Sequence, residues 1–585
     1  MATDGLGSKR GNRRWFLGVG GAAAGAVGLA AVRCGNGGSK ASPLKPPTQR
    51  QSETPGVQVA TGPSAQKGKR GDTLRYTGFV AGDASQDPHK TQAGPFYGQQ
   101  ALVFSRLLSY ESMTTGKLTP DLAMGMPEQP DPQTLVFHVN PDARWHEREP
   151  MNGRPVTAKD VEFSLRRQID GDSSFVRKAQ WANIDSMEVT DADSRTLKIK
   201  LKAPQAAIVN AFADVNSFVV APELTDKGRD FAPDFQVGSG PFRWVEWSEG
   251  KFASVARNPK WHGGNDRPNL DGVTVLQPKD NAEVEAGLRT KKLDVAFVGR
   301  PQADKLKKAI PALQESTIGR SLFFGMRFFL PQFPYNDVRF RSAVSIALDR
   351  RDMLQQFFAG SGEVNPWVSW PITRWSLPQA ELATTAGYRP GANGRAQDIT
   401  EARALLAAFS SSQKVPDELA LFVLNDAETN LRMGSVMRDQ LQQSLGLNVR
   451  VYPVPISELI SRLLSGQAPW AAGPDNGWVD LDDWVFPYFH STGTKNSFPV
   501  RDAELDKLIE SQRSELNEAQ RREIGFDIQR KLMALNAGVN FVSERVVALG
   551  WSYVKDFPLD AADGYQQRLA GCWIDQSDPN YRGRA

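Results

Sequence analysis

Strand-like and helix-like stretches alternate through this chain without internal repeat, and that interleaving restricts its fold more than any other feature. Thr73 to Tyr76, Thr134 to Val139 and Thr196 to Leu201 carry the β-branched or period-two pattern of strands. Leu293 to Val298 is apolar enough for a buried strand, and it follows a helical Ala282 to Lys291. Apolar residues at 338, 343, 346, 347, 353 and 354 predict one helix over Asp337 to Phe358. Further helices are predicted at Thr400 to Phe409, Thr429 to Leu445 and Ile456 to Leu464, with Leu447 to Tyr452 as an intervening strand. Two more lie between Ala503 and Leu535, where the charge run Arg513 to Lys531 reads as a solvated face. Mixed elements throughout place the chain in the α/β class. A length of 585 residues is too great for one small core and implies two or three packed units.

The N-terminus reads as an export signal. Arg13-Arg14-Trp15-Phe16-Leu17 precedes an uncharged Gly/Ala-rich run to Val32, which is too short and too small-residue-rich for a spanning helix. The pattern resembles a bacterial twin-arginine signal, whose pathway exports folded proteins. Ala31-Val32-Arg33-Cys34 resembles a lipoprotein cleavage site, with Arg33 where a small residue is usual. Cys34 is therefore either a lipidated first residue or a free thiol in a signal cut elsewhere. Residues 35–70, rich in Gly, Ser, Pro, Gln and Lys, read as a flexible tether.

Charge and motif content exclude several function classes. The formal net charge is +4, and residues 1–33 carry five basic side chains against one acid, so the body is neutral. A neutral body gives no phosphate-contacting surface, and nucleic acid is not an expected partner. Cys34 and Cys572 alone make no disulfide framework. The histidines at 89, 138, 146, 262 and 490 are scattered, without zinc spacing. No phosphate-binding loop, dinucleotide fingerprint or G-x-S-x-G elbow is present. No catalytic residue, metal or cofactor is expected.

Four blocks then carry a resemblance. They are Leu118-Thr119-Pro120-Asp121-Leu122-Ala123; Ala143 to His146 leading into Asn152 to Leu165, with its Thr157-Ala158-x-Asp160-Val161-x-Phe163-Ser164 helix start; Val237 to Phe242 with Asn258-Pro259-Lys260-Trp261 and Pro268 to Val273; and Asn336-Asp337-Val338-Arg339 through Ala347-Leu348-Asp349-Arg350. In this order the chain resembles the bacterial family 5 extracellular solute-binding proteins, from about Gly71 to Phe557.

The resemblance implies a two-lobed periplasmic-binding-protein-like clamp (type II, cluster C), with an extra subdomain and a discontinuous first lobe. Projected here, the signal occupies 1–34 and the tether 35–70. The first lobe takes 71–112, 230–322 and 545–585, the subdomain 113–229 and the second lobe 323–544. The implied role is an extracytoplasmic receptor of an ABC importer, not an enzyme, acting as a monomer held at the membrane only through the possible lipid. It would clamp a small peptide or similar solute and deliver it to a membrane permease. A nickel chelate, oligosaccharide, opine or haem receptor of the same fold is the alternative, and a secreted enzyme or signalling receptor a third.

Two segments are implied to meet the ligand. In Asn476 to Trp484, Trp478 precedes a group of acids, and either Asp480 or Asp482 is the counterpart of the family's ammonium-binding aspartate. The competing reading is a surface turn whose acids cap the next helix. In Asn365 to Trp375, Trp367 and Trp370 would cover apolar ligand surface and Arg374 would meet a carboxylate, or these aromatics pack a loop. Arg320 to Phe329 is expected to contain the strand crossing between lobes, with its phenylalanines in the core.

Overall fold

The computed structural model describes residues 68–584 apart from 79, 81–85, 91–93, 114, 173, 226–230, 232–235, 265, 369–373, 426, 477–478, 494–495 and 560–563. Arg13, Arg14 and Cys34, and with them the export signal and its possible anchor, lie outside the described residues. So do Trp370 and Trp478.

Among the described residues one long mixed sheet organises the body. Thr73–Thr77 sits in its middle, parallel both to Gly272–Leu276 and to Val295–Val298. Phe252–Arg257 and Phe242–Ser248 extend that side by antiparallel pairing. On the other side Leu419–Leu424 pairs in parallel with Val449–Val454 and with Trp470–Asn476. Helix Glu428–Leu445 supplies the crossover that parallel pairing requires.

Two long strands join these halves. Gln314–Phe328 and Gly538–Gly550 run antiparallel, with their register broken between Gly319 and Phe323 and between Phe324 and Gly325. One end of the pair lies against Val295–Val298 and the other against Trp470–Asn476. Apolar packing divides at the same place: one core covers the first half, and separate cores lie under the second. Phe323, Phe324 and Phe328 are buried, as the crossing-strand reading expected.

A second, antiparallel sheet orders Glu128–Asp131, Thr134–His138, Thr196–Leu201 and Ile184–Val189. Helix Ala158–Asp170 packs against it. Its start follows the sequence: the Asp160 carboxylate takes the free Thr157 backbone N–H at 2.8 Å.

Two expectations need correction. Asp337 to Phe358 is not one helix but two, Val338–Ala347 and Arg350–Phe358. Leu348 is extended, and the Asp349 side chain accepts from the Arg351 and Asp352 amides, so a new N-cap interrupts the apolar period. The run from Arg513 to Lys531 is not wholly a solvated face, since Arg521 and Gln529 on helix Glu518–Leu535 are buried.

The last described residues strap the middle of the main sheet. Arg584 donates to both carboxylate oxygens of the buried Asp294 at 3.0 and 2.8 Å and pairs with Asp72. Tyr581 donates to Asp72 at 2.8 Å, and Lys291 reaches the Asn580 carbonyl at 2.6 Å. Asp294 also accepts the Arg75 amide and the Tyr553 hydroxyl, each at 2.8 Å.

Candidate functional site

Strand Trp470–Asn476 and helix Leu481–Phe489 bring Asp480, Asp482 and Asp483 to one corner, where the first of them is the helix N-cap. Its Oδ1 accepts the Asp482 amide at 2.9 Å, which is the capping half of the competing reading. The surface half is wrong. All three acids are buried, and each faces a different set of donors.

Asp480 receives a fork from Arg521, Nη1 to Oδ2 at 2.9 Å and Nη2 to Oδ1 at 2.6 Å, with Asn210 Nδ2 donating to Oδ2 at 2.8 Å. Burial would raise this carboxyl, but the guanidinium outweighs it and holds the group below its ordinary range. Asp482 accepts from Gln512 at 2.6 Å and Arg513 at 3.1 Å, and burial together with the neighbouring Asp480 charge raises it. Asp483 accepts from Gln180 at 2.8 Å, with Arg177 at 3.6 Å. Arg177 makes its closer pair with Asp214, Nε to Oδ1 at 2.7 Å. Burial therefore dominates at Asp483 over the opposing Arg177, and with the charges of Asp214 and Asp480 added, its carboxyl is pushed up to about 8.

These bonds cross the molecule. Gln180 and Asn210 belong to the segments around the four-stranded sheet, whereas the acids and Arg521 belong to the helical layer of the second half. A backbone bond from the Ala206 amide to the Arg513 carbonyl, at 2.6 Å, makes the same crossing.

Arg374 joins this corner through Trp375. The Trp375 ring lies between two guanidinium groups, Arg374 at 4.8 Å and Arg521 at 4.8 Å from its centroid. Arg374 Nε donates to Glu518 at 2.9 Å, and Nη1 reaches the Gly116 carbonyl at 3.4 Å. Trp367 packs with Leu481, Trp484 and Phe489, on the helix that Asp480 caps. It is buried under the Arg327 guanidinium, 4.9 Å away, and edge-on to Phe489 at 5.2 Å. The structure thus unites Asp480, Asp482 and Arg374, and buries Trp367 in the apolar cluster that the same helix joins.

Sequence reasoning missed Arg521. One signal was available: buried residues of its helix recur as Arg521, Gly525, Ile528 and Leu532, so the arginine falls on the inward stripe. Arg177, Asn210 and Gln180 gave no such signal.

Among the described residues no group of three or more histidine, cysteine or acidic side chains could hold a metal ion. His89 is buried between the Phe218 carbonyl at 2.8 Å and Arg167 at 2.9 Å, and burial pushes it down to about 4. Burial drives the Cys572 thiol far above its usual range. These groups belong to the packing. Among the described residues no helix is long and apolar enough to cross a membrane.

Comparison with known proteins agrees with this architecture. The model of the bacterial extracellular solute-binding proteins, family 5, matches residues 117–497. A probable di/tripeptide-binding protein of Pseudomonas aeruginosa is 24% identical over 484 residues, covering 77% of this chain and 83% of that protein. Among solved structures, the oligopeptide-binding protein AppA of Bacillus subtilis, in complex with a nonapeptide, superposes with a TM-score of 0.71 at 18% identity, covering 87% of this chain and all of that one. The binding protein AgaA, in complex with agropinic acid, does so with a TM-score of 0.71 at 21% identity, covering 86% and 99%.

Proposed function

The chain belongs to family 5 of the bacterial extracellular solute-binding proteins, and from that membership we propose that it is the extracytoplasmic receptor of an ABC importer. It closes on a small peptide or peptide-like solute and hands it to a membrane permease. The observation that carries this reading is the crossing at the acid corner. Donors from the four-stranded module meet acceptors from the helical layer of the second half. A solute lying between two such bodies touches both only when they are together, so binding favours the closed form by its difference in affinity. The role is recognition and delivery rather than turnover, by a monomer exported through the Arg13-Arg14 signal and held by a lipid on Cys34.

The segments from Trp367 to Arg374 and from Trp478 to Asp483 border the ligand in this reading. Asp480 is already neutralised by Arg521, so its part is to fix the start of helix Leu481–Phe489 and to hold the crossing. A second reading takes support from the same fact. With the acids engaged internally, the solute need not be an amine, and a relative of the same fold is solved with agropinic acid.

Thermal unfolding of the purified protein against a peptide library tests the proposal. A true ligand at a hundred times its dissociation constant stabilises by about 2.7 kcal/mol. Stabilisation by a sugar acid, an oligosaccharide or a nickel chelate, with none by any peptide, would overturn the ligand class.

A further inference from the structure

Gln180 meets Asp483 with one bond made and one missing. Its Nε2 donates to Asp483 Oδ1 at 2.8 Å, while Oε1 of the same planar amide is buried and has no donor among the described residues. The large majority of buried side-chain polar atoms in proteins have a partner. A proton on Asp483 supplies one. The protonated oxygen donates back to Gln180 Oε1, and acid and amide then face each other through two parallel bonds.

The surrounding charges favour that proton. Among the described residues, each close ion pair of the corner lies inside one module. Arg177 holds Asp214 beside the four-stranded sheet, Nε to Oδ1 at 2.7 Å. Arg521 holds Asp480 at 2.6 Å and Arg513 holds Asp482 at 3.1 Å, both within the second half. Asp483 is the exception, since its ion partner is Arg177, on the far side of the crossing at 3.6 Å. It also faces Asp214 across the crossing, Asp480 and Asp482 at the start of its own helix, and Arg521 behind them. Tyr110 and Tyr565 complete its surroundings, and burial raises both phenols so that they stay neutral. Burial, with repulsion from the three other acids, outweighs Arg177 and keeps Asp483 protonated up to about pH 8.

We propose that a proton held between Asp483 and Gln180 is a latch: it fastens the four-stranded module to the second half with no solute bound, and its loss lets the two part. The opening it controls rests on the receptor reading above. Parting wets Asp483 and returns it to an ordinary aspartate, so opening releases a proton. The closed form is therefore favoured below about pH 8, and its ratio to the open form falls about tenfold for each pH unit above that.

Two measurements on the ligand-free protein test this. Infrared difference spectra between about pH 6 and about pH 9.5 should show the C=O band of a protonated carboxyl disappearing through about pH 8, and Asp483→Asn should abolish it. Small-angle X-ray scattering over the same range should find the unaltered protein compact at the acid end and expanding through the same pH. In Asp483→Asn an amide replaces the protonated acid, donating to Gln180 Oε1 and accepting from Nε2, so this variant should stay compact throughout. Asp483→Ala makes neither bond and should be more expanded than Asp483→Asn at every pH, with circular dichroism confirming that both variants fold. Absence of the carboxyl band, unaltered protein whose dimensions ignore pH, or Asp483→Ala as compact as Asp483→Asn overturns the proposal. No ligand enters either measurement, so failure to bind any peptide strikes the receptor reading alone, and a shape indifferent to pH strikes the latch alone.

Discussion

Replacing Asp480 with alanine separates two accounts of the acid corner. In the structure its carboxylate accepts from Arg521 at 2.9 and 2.6 Å, from Asn210 at 2.8 Å and from the Asp482 amide at 2.9 Å. Asp480→Ala removes the acceptor and, among the described residues, leaves a buried guanidinium hydrogen-bonded only to Gln512, its Oε1 at 3.1 and 2.9 Å, with the Trp375 ring 4.8 Å away. Breaking one side of a buried ion pair costs about 3–5 kcal/mol, because the remaining charge is desolvated and uncompensated. The lost N-cap adds to this, typically by about 1 kcal/mol. For a cooperative unit of 150–250 residues each kcal/mol shifts the midpoint by roughly 2–4 °C, so the unliganded variant should melt at least about 6 °C lower. Scanning calorimetry of the ligand-free protein measures this, and Arg521→Met in the same chain should recover part of the loss. A residue whose carboxylate served chiefly as the ligand's counter-ion would behave oppositely, losing affinity while the free protein kept its midpoint. A midpoint within about 1 °C of the unaltered protein would refute the reasoning.

Asp483 predicts a pH dependence. Its folded carboxyl titrates near 8, far above an unfolded aspartate, so the unfolded chain releases a proton that the folded one keeps. Its contribution is complete below about pH 4 and fades as pH rises through about 8. Asp483→Asn should flatten this descent between pH 5 and 8.5 in melting curves, and parallel curves would contradict it. Arg584→Ala leaves Asp294 buried with the Arg75 amide, the Tyr553 hydroxyl and the Arg75 guanidinium at 3.6 Å, so chemical denaturation should register a loss of about 3 kcal/mol, the low end for breaking a buried pair. Arg374→Ala breaks a pair with the well-exposed Glu518 and a long bond to Gly116, so stability should change by less than about 1 kcal/mol in the same assay.

The backbone plan was largely legible, and the acid corner only half so. Helix Ala158–Asp170 announces itself through Thr157 and Asp160, which act on a single turn and need no knowledge of the rest of the chain. The two-helix outcome at 337–358 turns on Asp349, a capping residue masked by apolar residues in helical register on both sides. Asp480 and Asp482 stood out as acids near a tryptophan, but their partners come from positions 210, 512, 513 and 521. Periodicity reports which side of a helix is buried and says nothing about what it meets there.

The strap formed by Tyr581 and Arg584 bears on when this protein can be finished. The Thr73–Thr77 strand acquires its neighbours only when residues 272–276 and 295–298 have been made, and the Asp72 and Asp294 side chains acquire Arg584 later still. Contacts of such separation carry loop-closure entropy before they return any stability. The sheet's centre is thus the part begun first and completed last. Folding of this sheet therefore waits on residues far along the chain rather than on its leading half alone.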